Sequence, residues 1–109
     1  MDKKPPSDEI LHAKLNLETA KMSWKDLERF FASGVLISVG SELDLVDVAV
    51  HIANDDKETV AAWLNVGSIR KVSDAEAATW NEKETSLWTV VVKPWILVQE
   101  EKVVRPSVH

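Results

Sequence analysis

The stretch Leu87–Glu100, LWTVVVKPWILVQE, decides the fold. It is β-branched, aromatic and apolar, and Pro94 interrupts it, so it reads as strand and not as helix. It is also shorter than the roughly 20 apolar residues that a helix needs to cross a bilayer. The run is therefore the expected spine of a sheet, covered by the helical segments that precede it. Lys93-Pro94 does not offer the positive φ angles of a two-residue hairpin turn. The expectation is a bent or bulged strand, with Pro94 on an edge or at a break in pairing. That edge would be a place for a second copy of the chain to pair.

Working back from this run, the helices are marked by their caps. Ser7 reads as an N-cap, with Asp8 and Glu9 in the first turn and Ile10, Leu11, Leu15, Leu17 and Met22 as the apolar residues. Ser23 with Asp26 reads as a second start, and Trp24, Leu27, Phe30 and Phe31 form an amphipathic stripe that ends at Gly34. Val35–Val39 follows as a short strand. A helix from Leu43 to Ala53 buries Val46, Ala49, Val50 and Ala53. Asn54-Asp55 stops it, and Asp55 with Glu58 opens the next helix, which carries Val60, Trp63 and Leu64 to Gly67. Ile69–Val72 is a brief strand. Ser73 and Glu76 form the clearest capping box, with Ala77 and Trp80 inward.

The pattern predicts an α+β domain of four to five short helices on a small sheet of three to four strands, with a winged-helix-like arrangement as one form. Residues 1–6 are expected as a flexible arm, 7–100 as a single globular domain and 101–109 as a frayed tail. Residues offset by 33 echo one another: Leu27 with Val60, Phe30 with Trp63, Gly34 with Gly67 and Leu36 with Ile69. Two copies fall short of a solenoid.

At 109 residues the chain is long enough for one core without disulfides or metal. The absence of cysteine excludes a disulfide framework, thiol catalysis and zinc–thiolate sites. The N-terminus MDKKPPSDEI lacks the apolar region of a secretory signal, and the expected location is cytoplasmic, with no membrane contact. Of the five tryptophans, Trp24, Trp63, Trp80 and Trp88 fall on inward positions of their elements, whereas the aim of Trp95 depends on the bend at Pro94. The net charge of −5 is concentrated: Glu42, Asp44, Asp47, Asp55, Asp56 and Glu58 stand against Lys57 alone, and the remainder balances. A surface of that sign repels phosphate backbones and lipid headgroups.

The blocks KLNLETAKMSWKDLERFFASG, ELDLVDVAVHIANDDKETVAAWL, VSDAEAATW and WTVVVKPWILVQE together resemble a small bacterial domain-of-unknown-function family, twenty-two eighty-eight. The likeness runs from about Leu11 to Glu100, and ETAK-x-x-W and VVV-x-PW-x-LVQ are its most specific parts. The resemblance implies a short cytosolic protein. It brings no assigned activity, cofactor or catalytic residue, and His51 is not part of the family's shared pattern.

Asp44, Asp47 and His51 recur at helical spacing and would hold a divalent ion, or act as a base with an orienting acid, if further ligands came from elsewhere. Read otherwise, Asp44 caps the helix and Asp47 with His51 is a surface pair. Ser33, Ser38, Ser41, Ser68, Ser73 and Ser86 lie in turns or at caps, and none sits in G-x-S-x-G. His12 falls on a charged helix and His109 in the tail. There is no G-x-G-x-x-G or Walker lysine, so no cofactor is expected.

Val46–Ala53 and Lys57–Leu64 around Asn54-Asp55 have the outline of a helix–turn–helix, with Ile69–Val72 and Trp88–Val98 as a wing. The second helix begins DDKET and offers one lysine, which argues against nucleic acid. The expected function is a non-enzymatic interaction or accessory module. It would bind a protein partner, or itself, through the C-terminal strand edge (Trp88, Val90, Val92, Pro94, Trp95, Ile96, Val98), the acidic Glu42–Glu58 face, or both. The alternatives are a winged-helix-like nucleic-acid binder and a small enzyme or metal-binding protein using Asp44, Asp47 and His51.

Overall fold

The computed structural model describes residues 6–101, with side chains from Asp8 onward. The elements are α1 (Pro6–Glu18), β1 (Ala20–Ser23), α2 (Trp24–Ala32), β2 (Leu36–Val39), α3 (Leu45–Ala53), α4 (Lys57–Val66), β3 (Ile69–Lys71), α5 (Asp74–Glu82), β4 (Ser86–Val92) and β5 (Trp95–Gln99). The sheet order is β1-β4-β5-β2-β3, antiparallel throughout except for the parallel pair β2 and β5. Among the described residues, five helices on a five-stranded sheet make the expected α+β domain, with one strand more than the upper expectation. Most of the expected arm and tail, residues 1–5 and 102–109, lies outside the described residues. Pro6 already belongs to α1, so Ser7 lies inside that helix and not at its cap.

The sheet separates two cores. Leu15 of α1, Val48 and Ala49 of α3 and half-buried Val60 and Trp63 of α4 pack on one face with Ile37, Val90 and Leu97. Trp24 and Leu27 of α2 and Ala77 and Trp80 of α5 pack on the other with Leu36, Leu87, Ile96 and Val98. Side chains of a strand alternate between faces, so a strand covered on both sides is apolar at every position. That is why Trp95–Val98 reads as a continuous apolar run. The second core is aromatic: the Trp24 ring lies 5.6 Å from Trp80 and 5.7 Å from Phe31, both tilted, a geometry that adds to area burial.

Several expectations are corrected. Val92 pairs with Trp95, so β4 and β5 form a hairpin across Lys93-Pro94 and not one bent strand. That peptide is cis, and a turn with cis proline at its third position needs no positive φ. Both strands lie inside the sheet, β4 between β1 and β5, and β5 between β4 and β2, so the expected free edge along Trp88–Val98 is absent. Ala20–Ser23, with Met22, is a strand and not the end of α1, because Met22 is needed opposite Leu87 to cover the aromatic core. β3 pairs with β2 and not with the hairpin, so there is no wing.

Ser73 and Glu76 form the reciprocal capping box read from the sequence. Ser23 is the N-cap of α2, yet its hydroxyl accepts no backbone N–H and instead donates to the Asp26 carboxylate at 3.2 Å. Four helices end alike: the residues after Ser33, Asn54, Val66 and Lys83 turn left-handed, and their amides close back onto the preceding turn. Gly34 and Gly67 do this at φ 76° and 79°; Asp55 and Glu84 do it at 56° and 51°. The 33-residue echo corresponds to α2–Gly34–β2 and α4–Gly67–β3, which run antiparallel with their helices on opposite faces.

Candidate functional site

Two places bring functional side chains together. The first is a cleft of about 390 Å³ between α1 and the end of α3, lined by Asp8, Glu9, His12, Asp47, His51 and Asp56 among others. Asp56, not Asp55, caps α4, accepting from the Thr59 amide at 3.3 Å. Asp55 is occupied with the left-handed turn that ends α3. The other Asp56 oxygen lies 2.8 Å from His51 Nδ1. The bond to His51 is the main cause that holds the Asp56 carboxyl below its ordinary range, and the Thr59 hydroxyl and amide add to it. An ionised carboxylate only accepts, so Nδ1 carries the proton in that bond. His51 Nε2 is 3.8 Å from Asp47 Oδ1, and the ring meets Trp63 edge-on at 5.2 Å.

The predicted trio is thus divided. Asp44 caps α3, accepting from the Asp47 amide at 3.0 Å, a full two turns from His51. Asp47 and His51 are neighbours, and Asp56 is the partner that the helical spacing did not indicate. Its only sequence signal was the choice of cap one residue earlier. Among the described residues no group of three or more His, Asp or Glu is placed to hold a metal ion. The cleft is open, Asp56 is held by Thr59 and His51, and Asn54 Nδ2 closes its rim on Asp8 Oδ1 at 2.9 Å. It is a clasp between three helices.

The second place is an apolar groove of about 250 Å³ between α4 and the end of the sheet at β3. Ile52, Val60, Leu64, Ile37, Ile69 and Trp95 line it, and Lys71 is its one charged residue. The Lys71 ammonium lies 5.7 Å from the Trp95 ring centre. Among the described residues Lys71 has no acidic partner. α4 is the helix that leaves this groove open: none of its residues is fully buried, and Leu64 and Val66 are 51% and 77% exposed.

Of the residues predicted for contact, Val90, Val92, Ile96 and Val98 are core. Their apolar character is explained by burial on both faces. Pro94 is exposed at the hairpin turn and Trp95 is half-buried in the groove. Trp88 points outward, at 38% exposure, beneath Lys21 of β1. Val60 and Leu64 were read as apolar residues of α4 but not as contact residues, and Lys71 was not singled out.

At the opposite end of the sheet, a polar network is structural. Gln99 Nε2 donates at 2.8 Å to the carbonyls of both Gly40 and Leu43, holding the loop after β2. Glu76 accepts from Ser38 and Arg70. Glu42 lies against Gly40, where any Cβ would collide with its carboxylate. A bond from Ser68, its own amide and nearby Arg70 together keep Glu42 below the ordinary carboxylate range. No buried side-chain nitrogen or oxygen is left without a partner among the described residues.

No helix among the described residues is long and apolar enough to cross a membrane. No match was found among the curated proteins. The chain is similar over its whole length to the NMR solution structure of PA1075 from Pseudomonas aeruginosa, at 42% identity with a TM-score of 0.76 and all of both chains covered. Residues 10–100 match the family model described as protein of unknown function (DUF2288). The chain therefore belongs to the DUF2288 family, as the sequence blocks from Leu11 to Glu100 implied.

Proposed function

We propose that this chain is an accessory module of the cytoplasm that works by contact with a partner protein, and that the Trp95 groove beside α4 is its contact surface. The observation that carries this is the incomplete burial of α4. A helix on a sheet ordinarily buries an apolar stripe, yet here Leu64 stays exposed at an open apolar groove, and Val66 is exposed as well. A concave apolar patch with a half-buried tryptophan and a charged rim has the make-up of an interface centre. The His51 cleft is the weaker candidate, because His51 and Asp56 bond one another, Asp56 also caps α4, and Asp8 bonds Asn54.

Leu64 and Leu17 are both exposed and both in the last turn of their helices, so acidic substitutions there are matched. Partners of the wild-type chain are identified from cells, and binding is then reconstituted with the purified proteins. Loss of binding in Leu64→Asp but not in Leu17→Asp supports the groove. Equal binding by both variants refutes it.

A further inference from the structure

Resting on the contact surface just proposed, we infer that its occupant is an extended segment of a partner protein. This segment adds as a strand to the open edge of β3, seats apolar side chains in the Trp95 groove and sets one carboxylate against Lys71. The pairing of β3 shows what is free. Gly40 N donates to Ser68 O at 2.8 Å, and Val72 N donates to Leu36 O at 3.1 Å. In an antiparallel pair, residues alternate between facing the neighbour strand and facing away. Residues 68, 70 and 72 thus bond toward β2, and the N–H and C=O groups of Ile69 and Lys71 point off the sheet.

Those same two residues direct their side chains into the groove. A strand laid against them would place every second side chain on that face, beside exposed Leu64. The groove, at about 250 Å³, is smaller than typical small-molecule pockets of roughly 300–1,000 Å³ and suits side chains better than a drug-sized ligand. The other edge strand, β1, lacks this combination: Lys21 is ion-paired with Glu101, and Ser23 leads directly into α2.

Charge selects the occupant. Covering the groove takes the Lys71 ammonium out of water, which is costly without a counter-charge. Arg70, on the other face of the strand, is already held by Glu76 at 2.8 Å. A second copy of this chain is the wrong partner, because antiparallel pairing of β3 with itself about its centre sets Arg70 against Arg70, and like charges directly opposite destabilise a pair. A single carboxylate fits better than an acidic run, since Lys71 is the one charged residue among those that line the groove.

The test is an NMR titration of the labelled full chain with acetyl-Val-Thr-Glu-Thr-Val-amide, whose Val and Glu side chains share one face, and with the same peptide carrying Lys in place of Glu. The expected result is saturable movement of the Ile69 and Lys71 amides and the Trp95 indole, with β1 unmoved. The Glu peptide should bind about three- to five-fold more tightly, the scale of one exposed ion pair, and Lys71→Glu should invert the preference. Equal binding of both peptides at β3 would overturn the carboxylate match while leaving the groove as a contact surface. No movement at Ile69, Lys71 or Trp95 with either peptide would overturn strand addition, while the contact surface itself stands or falls on the Leu64→Asp comparison.

Discussion

His51 Nδ1 lies 2.8 Å from the carboxylate of Asp56, so the last turn of α3 is tied to the residue that caps α4. α4 is otherwise weakly held, with no fully buried residue, and this bond is one of the few that fix where it sits over the sheet. The position of α4 in turn sets the width of the groove at Trp95.

The clasp should depend on pH with a definite sign. The Asp56 carboxyl is held below its ordinary range, first by His51. A carboxylate depressed on folding contributes stability that is present above its unfolded pKa, about 4 for aspartate, and is lost as pH falls through the lower folded value. Asp56→Asn should therefore be less stable than wild type at neutral pH. The difference should shrink below about pH 4, as followed by urea denaturation across pH.

Glu84 and Asp55 occupy left-handed positions that glycine fills in α2 and α4. A side chain there costs roughly 1–2 kcal/mol, partly offset by the greater unfolded freedom of glycine at about 0.5–1 kcal/mol. Glu84→Gly should raise stability by about 0.5–1 kcal/mol. Asp55→Gly should do the same. Thermal melts of the two variants check this.

Gln99 is 6% exposed and serves two loop carbonyls. Gln99→Met keeps the volume and removes both donors, at a cost of about 1–3 kcal/mol for the polar groups left without partners. By comparison, Leu97→Ala, at a fully buried site between the helical layer and the sheet, should cost about 2–5 kcal/mol.

The division of Asp44 from His51 predicts indifference to metal. Adding zinc or manganese should leave the melting temperature unchanged in wild type and in His51→Ala alike. A rise that His51→Ala abolishes would restore the metal-binding alternative.

Most of the helices were legible because their punctuation is chemical. Ser73 with Glu76, Gly34 and Gly67 mark ends that no packing argument is needed to find. The hairpin was not legible, since Lys93-Pro94 argues against the usual two-residue turns, and only the pairing of Val92 with Trp95 reveals it. β1 was hidden because four residues following a helix carry little period of their own, and their strand character comes from pairing with β4. The error about the contact edge has the same origin. A run such as Ile96–Val98 looks identical whether it is an exposed apolar edge or a central strand covered on both faces, and strand order alone distinguishes them. Asp56 and Lys71 were out of reach for a further reason: each acts through a residue distant in helical or strand register, His51 in one case and Trp95 in the other.

The most direct test of the groove as a contact surface is photo-crosslinking in cells, with a benzophenone amino acid placed at position 64 and, as control, at position 17. The expected result is a discrete adduct with one partner protein at position 64 alone, lost when Lys71→Glu is combined with it and reproduced with the purified pair. Adducts of the same mass and yield from both positions, or none from position 64, would contradict it.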